Sequence, residues 1–522
     1  MALPGYLAGA APGLLWGDSA EMQILAVVGG VAHPTGYPLF TLVGRLFTAF
    51  GPGDLAWRST LLSATFAAAT LTLLLAFLLA RGLRTLAALA GVAAWGLSFT
   101  FWATAQRSEV YSLATFMAVG ALWCTVLALE RGTRAPRLAA GTLLGLTLAG
   151  HMAFAPWVAV AGLVLAWNVP RAGVRWLGDE LLLLLAFLVG LAPYAYLPWA
   201  DHARHGLNYL QLVEVANWPA SPVPEGFRTT LERFVWLLTG RNEMPPIPLS
   251  PNPRTLAKNG SDTFFLFALF ELGPLAAVAA GFGLRAHWRA SRVQVPLLFG
   301  MLAASVVFSA VTSGYKILSV FLIPCYLTMA VFVALGAESA LARFGRTGTA
   351  WALVTMLLLV NAGLAHGARL YSYDHPIGPF RSKVQEEDDR VERSLLPDMS
   401  HETQARRFIE SAAQVLPDNS LVITEWREYM ALQYLQHVDR RRLDLVLQPS
   451  GYPTLLHKVA WWEQHHNLVM RPVVVIVGPM TPMAQHLVEA DTLRLATGQL
   501  AVVTHVPLRY ELPPLKVLAK RH

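Results

Sequence analysis

Trp16-Gly17-Asp18-Ser19-Ala20-Glu21, followed by His33-Pro34-Thr35-Gly36-Tyr37-Pro38, places two carboxylates, a histidine and a tyrosine in a polar connection between apolar segments. Charge beside a bilayer has to be solvated, paired or used, so this stretch is the first place to look for chemistry. Its surroundings are built for lipid. Of 522 residues, 55% are hydrophobic and 14% charged, against roughly 25% charged in a soluble domain. The formal net charge of +7 reads as a topology signal. No basic run is interleaved with aromatics, so no nucleic-acid partner is expected. Cys124 and Cys325 stand alone in apolar runs and have neither metal-ligand nor disulfide spacing.

Charge-free apolar runs recur at Ser59–Ala80, Thr85–Ala103, Val110–Leu129, Leu138–Gly150, Met152–Val169, Leu181–Trp199, Thr263–Leu284, Val295–Thr312, Ile317–Gly336 and Thr349–Ala365. With the first stretch, Ala2–Leu15, they predict a polytopic α-helical membrane protein of about eleven transmembrane helices. Ala2–Leu15 is short for a span and lacks the basic start of a signal peptide. It reads as a thin first helix continued by the Trp16 region, or as a start placed downstream of the true one.

Arginines set the sidedness. Arg81 and Arg84, then Arg131, Arg134 and Arg137, then Arg171 and Arg175, then Arg285, Arg289 and Arg292, then Arg343 and Arg346 occupy alternate connections. The positive-inside rule makes that side cytoplasmic. The N-terminus is then cytoplasmic in the inner (plasma) membrane. The Asp18 stretch, Thr104–Glu109, the Gly150-His151 break, Ala200–Asp262, Ser313–Lys316 and the C-terminal tail all face outward. The division expected is a transmembrane domain, 1–366, and an extracytoplasmic α/β domain, 367–522. In the tail, Leu421–Thr424, Leu443–Leu447 and Val473–Val477 read as strands and Glu428–His437 as a helix, with helical patterns between and after them. No glycine-rich phosphate loop follows any of the strands.

Each polar motif has two readings. Asp18 and Glu21 form a capping box if a helix starts at Asp18. They also make a catalytic pair, because a partly desolvated carboxylate accepts a proton. His33-Pro34-Thr35-Gly36-Tyr37-Pro38 is a rigid turn, and in such a turn His33 and Tyr37 can donate to a phosphate or a sugar. Arg107 either pairs with Glu109 or joins it and Tyr111 in binding substrate. His151 is a turn residue or a ligand contact. Lys316 snorkels to the interface or neutralises a lipid phosphate, and Arg58 reads either way. Glu271, inside an apolar run, is interfacial if Arg254–Phe270 lies flat, a reading the adjoining Gly273-Pro274 favours.

These residues carry a family likeness. Gly17–Glu21, Ala32–Phe40, Trp57-Arg58-Ser59, Ser108-Glu109-Val110-Tyr111, Gly150-His151, Pro193–Pro198 and Phe321–Pro324 resemble the GT-C class of membrane glycosyltransferases. Within that class they are most similar to the transmembrane protein O-mannosyltransferases and their bacterial relatives. The resemblance implies a sugar donor on a polyprenyl phosphate, an acceptor hydroxyl on a protein, lipid or glycan, and Asp18 as general base with Glu21 beside it. Under it, His33, Arg58 or Lys316 would meet the leaving phosphate, and Glu109 and Tyr111 would orient the sugar. No metal site and no certain cofactor are expected, although some members of the class use a divalent metal. The competing classes are a lipid-sugar flippase, which would keep ionisable groups near mid-membrane, and a non-catalytic assembly protein.

Overall fold

An apolar run in lipid has to pair its backbone groups internally, so it folds as helix. In this computed structural model, five helices among the described residues are long and apolar enough to cross a bilayer: Leu55–Ala80, Tyr111–Arg131, Gln294–Val311, Val320–Arg343 and Ala352–Tyr371. The number rises to seven when each of two bent pairs counts as one span. The chain is a multi-pass membrane protein, mainly helical. The structure describes residues 2–168, 175–216, 229–240, 252–265, 270–288, 294–312, 319–344, 348–374, 395–450, 452–465, 467–468, 470–477 and 491–504.

The described residues group into two units. The first comprises Met1–Ala10, Leu61–Ala195 and Glu243–Met399; the second comprises Ala11–Thr60, Tyr196–Asn242 and Ser400–His522. The sequence boundary at 366/367 lies inside the helix Gly348–Asp374, and Ala11–Thr60 belongs with the tail.

Several expected spans are broken, each for an identifiable reason. Thr85–Ala103 is divided into Thr85–Gly96 and Phe99–Ala105, turned by 73°. A distant side chain holds the turn. The buried Glu271 accepts from Thr100 N at 3.0 Å and from the Thr100 hydroxyl, at the first turn of the second helix. There it meets unpaired N–H groups and the positive end of the helix dipole. Glu271 itself sits between the helices Pro253–Phe265 and Pro274–His287, so Thr263–Leu284 is not one continuous helix, and the residue is buried within the protein. Asn361 caps the second of these helices, its Oδ1 accepting from Leu275 N at 2.9 Å. Leu181–Trp199 is divided at Leu191, just before Pro193, which has no N–H to continue a helix. The first stretch forms a helix only over Ala2–Ala8, because Gly9, Pro12 and Gly13 follow.

The core of the first unit gathers Tyr6, Trp95, Phe101, Phe154, Trp157 and Tyr326. Small residues let its helices approach closely. A Cβ added at Gly336 would stand 1.9 Å from Ala279 O, so Ile323–Phe344 and Pro274–His287 meet backbone to backbone.

The second unit begins with the helix Gly17–Val28. A short parallel pairing, Gly30–Val31 with Leu207–Asn208, follows. The tail forms a five-stranded sheet in the order Val446–Pro449, Leu421–Thr424, Val473–Val477, Leu500–Thr504 and Asp491–Arg494. The first three strands are mutually parallel, and Leu500–Thr504 runs antiparallel to both of its neighbours, Val473–Val477 and Asp491–Arg494. Leu421–Thr424 and Val473–Val477 are buried throughout, as apolar strands covered on both faces should be. The two antiparallel strands stand where a helical pattern was expected. The helix Trp426–His437 packs against Gly17–Val28.

One ion pair braces this unit. Arg233 donates to the buried Asp201 carboxylate at 2.7 and 2.9 Å, and Asn208 adds a third bond at 2.9 Å. Arg233→Ala strands that carboxylate and is expected to cost about 3 kcal/mol, read as a lowered thermal midpoint in detergent. An unchanged midpoint would assign the pair no structural role.

Candidate active site

The helix Gly17–Val28 starts from Trp16 in extended conformation, with no side-chain cap. Asp18 and Glu21 therefore do not form the expected capping box. Glu21 instead turns into the unit and is fully buried. Its Oε1 accepts from the backbone N–H of His33 at 2.9 Å, and its Oε2 bonds His33 Nδ1. A non-local partner has outcompeted the local cap, because a buried carboxylate needs the stronger charge-assisted bonds. Burial pushes the Glu21 carboxyl above its ordinary range; the charge and hydrogen bonds of His33 oppose this, and nearby Asp18 adds to the rise.

The turn that carries His33 is fixed by its own residues. Gly36 N donates to His33 O at 2.7 Å, and Gly36 has φ +85°. Tyr37 takes the left-handed conformation before Pro38 opens the helix Pro38–Thr48. The Tyr37 hydroxyl donates to Pro34 O at 2.9 Å and lies 3.3 Å from His33 Nε2. Glu21, His33 and Tyr37 thus form one connected group. Glu21→Gln keeps the shape but removes the charge, and it is expected to lower stability by about 1–3 kcal/mol. A thermal midpoint equal to wild type would count against this pairing.

Asp18 is exposed on the same helix. Its Oδ1 accepts from the indole N–H of Trp426 at 2.7 Å. One ligand atom each from Asp18, Glu21 and His33 lie within 4.8 Å of one another. Two carboxylates and an imidazole form a donor set that suits a divalent cation. Tyr209 borders the group, its ring centroid 6.3 Å from His33, 5.9 Å from Trp426 and 6.5 Å from Trp236.

The remaining sequence candidates among the described residues have partners of their own. Arg58 is in the second unit, but its guanidinium donates to Thr48 O at 2.9 Å, Gly53 O at 3.1 Å and Pro52 O at 3.3 Å, fastening a loop. Arg107, Glu109, Tyr111 and His151 belong to the first unit. Arg107 reaches Met399 Sδ. Glu109 exchanges backbone bonds with the Ser63 hydroxyl at 3.0 and 3.1 Å. Tyr111 lies against His151, with ring centroids 4.7 Å apart. His151 Nδ1 caps the turn Met152–Phe154 by accepting from Ala153 N at 2.9 Å. Lys316 lies outside the described residues.

Trp426 and Tyr209 were not singled out in the sequence. A signal for Trp426 existed. It stands just beyond the carboxyl end of Leu421–Thr424, a parallel strand with parallel neighbours on both sides, and open α/β sheets present functional residues at such ends.

Residues 18–194 match the model of the protein O-mannosyl-transferase TMEM260 N-terminal domain. The protein O-mannosyl-transferase TMEM260 of Mus musculus is 31% identical over 199 residues, 36% of this chain and 27% of that protein. That of Dictyostelium discoideum is 40% identical over 55 residues, 10% of this chain and 7% of that protein. The chain thus matches about a quarter or less of the length of these relatives. Among solved structures, ArnT from Cupriavidus metallidurans bound to undecaprenyl phosphate aligns with TM-score 0.56 at 10% identity, over 97% of this chain and 98% of that one. Its apo state aligns with TM-score 0.56 at 12% identity, over 96% of each chain. At such identities the likeness is one of fold. The resemblance read from the motifs therefore holds on two separate grounds: similarity to the protein O-mannosyl-transferase TMEM260 N-terminal domain across 18–194, and the ArnT fold along nearly the whole chain.

Proposed function

We propose that the chain is an integral-membrane glycosyltransferase, moving a sugar from a polyprenyl-phosphate donor to an acceptor hydroxyl on the outer face. The observation that carries this reading is the Asp18, Glu21 and His33 group, at the start of the segment similar to an O-mannosyl-transferase domain. The undecaprenyl phosphate bound to ArnT supports the donor class. The name shared by the relatives supports a protein Ser or Thr as acceptor. An α/β tail on the outer side completes the reading and follows from the alternating arginines.

The chemistry divides among the residues by their surroundings. Asp18 is the exposed carboxylate and takes the proton of the attacking hydroxyl as the acceptor oxygen bonds to the anomeric carbon. The bond from that carbon to the phosphate oxygen breaks, and its electron pair leaves with the phosphate. Glu21 is enclosed and holds His33. His33 Nδ1 is bonded to Glu21 and its Nε2 lies 3.3 Å from the Tyr37 hydroxyl, which fixes the ring in place. An imidazole anchored in this way stabilises negative charge on the leaving phosphate when it is protonated. A divalent metal, if bound by Asp18, Glu21 and a neutral His33, would supply the positive charge there in place of an imidazolium.

The test is direct. Full-length protein in liposomes, given radiolabelled polyprenyl-phosphate mannose and Ser/Thr peptides, is expected to label the peptides and release polyprenyl phosphate. Tight binding of the donor with no transfer to peptide, lipid or glycan would sink the proposal.

A further inference from the structure

Asp18 is exposed, and an exposed aspartate samples several rotamers. A general base has to be held in one of them, because misplacement of a reacting group by about 1 Å can cost 100-fold. Among the described residues, its recorded side-chain bond is the one from Trp426 Nε1 at 2.7 Å, across 408 positions of chain. Both residues belong to the second unit.

The donor is itself firmly held. Trp426 stacks on Tyr429 at 6.0 Å and meets the edge of Tyr209 at 5.9 Å. Tyr209 in turn meets His33, and His33 is bonded to Glu21. Glu21 and Asp18 share the helix Gly17–Val28, three residues apart. The contacts therefore close a circuit, Asp18 to Trp426 to Tyr209 to His33 to Glu21 and back to the helix. A second contact fixes the start of that helix against the same segment. Trp16 lies 5.3 Å from the Phe408 ring, with the Arg427 guanidinium 4.5 Å over it.

We infer that Trp426, from the α/β tail, is a positioning residue for the reaction. Its indole N–H takes Asp18 Oδ1 and fixes the carboxylate, leaving Oδ2 for the acceptor proton. Indole is a donor only, so it neither competes for that proton nor places a rival charge beside the base. The tail is then part of the catalytic apparatus. This inference rests on the transferase reading above.

The test uses full-length protein in liposomes with polyprenyl-phosphate mannose, as wild type, Trp426→Phe, Asp18→Asn and the double variant. Trp426→Phe keeps a ring and removes the N–H. It is expected to lower kcat about 10-fold with KM for the donor unchanged. In the Asp18→Asn background the same change is expected to have no further effect on the residual rate. Benzothienylalanine at position 426, which keeps the indole shape without its N–H, is expected to match Trp426→Phe. That variant covers the case in which phenylalanine disturbs folding. A wild-type rate for Trp426→Phe beside an inactive Asp18→Asn overturns the inference. So does an equal fold-loss in both backgrounds, which would mark Trp426 as a packing residue only. Wild-type turnover by Asp18→Asn would instead remove Asp18 as the base and overturn the inference with it, whereas no transfer by the wild type would remove the transferase reading itself.

Discussion

Asp18→Asn is expected to lower sugar transfer by about 100- to 10,000-fold, the range lost when a positioned base is removed. The thermal midpoint should stay close to that of wild type. The substitution is nearly isosteric, and the exposed Asp18 side chain accepts from the Trp426 indole N–H. An asparagine oxygen still accepts that bond, so the geometry is kept and only the basicity is lost. Donor binding should survive, because the groups assigned to the phosphate are His33 and its partners. The expected pattern is a collapse in kcat with KM for the donor little changed. The contrast with Glu21 is informative. Glu21 is buried and bonded to His33, so Glu21→Gln should lose stability and activity together. Asp18→Asn should lose activity alone. A well-folded Asp18→Asn protein turning over at the wild-type rate would remove Asp18 from the chemistry.

Gly30→Ala should have the largest effect on folding. Gly30 has φ +126°, and a Cβ there would stand 1.8 Å from Leu207 O, with Leu207 C and N at 2.7 Å. All three contacts are backbone, so no side chain can swing away. Gly30 is also paired in parallel with Leu207, and Tyr196 Oη accepts from its N–H at 2.8 Å. The added methyl forces the two short strands apart and moves the chain just before His33. A loss of about 4 kcal/mol or more is expected, the scale reserved for strained backbone and broken networks. It should appear as aggregated or poorly expressed protein. Gly17→Ala is the control. Gly17 also has positive φ, +53°, but its Cβ would meet nothing within 4 Å, so only the left-handed penalty of about 1–2 kcal/mol applies. Equal, wild-type-like midpoints for the two variants would refute the argument.

Much of the architecture was legible because lipid allows so few solutions. A charge-free run has to be helix, and Tyr111–Arg131 and Gln294–Val311 follow from hydropathy alone. The strands Leu421–Thr424 and Val473–Val477 were equally plain, being short, apolar and β-branched. The break within one run was not legible. Thr85–Ala103 has no charge and no proline, and what divides it is Glu271, 171 residues away. The expectation of one helix failed because the decisive bond is tertiary.

The site followed the same division. Asp18, Glu21, His33 and Tyr37 could be picked out by their chemistry, since a polar cluster between apolar segments is conspicuous. Their arrangement could not. The spacing of Asp18 and Glu21 fits a capping box, and only the fold shows that His33 takes the Glu21 carboxylate. The guanidinium of Arg58 looked available for a phosphate, and backbone carbonyls take it. Trp426 was hidden by distance along the chain, although its place beyond a parallel strand was a usable clue.

The assembly of the second unit from three separate stretches of chain sets a timetable for biogenesis. The helix Gly17–Val28 leaves the ribosome early, yet the helix it packs against is made from residues 426–437. At about 5–20 residues per second, the 408 positions between Asp18 and Trp426 take roughly 20–80 s to translate. For that interval the newborn segment waits with its apolar side uncovered, and a chain terminated before residue 400 would never find the missing half. Such truncated products should be prime clients for membrane chaperones and proteases.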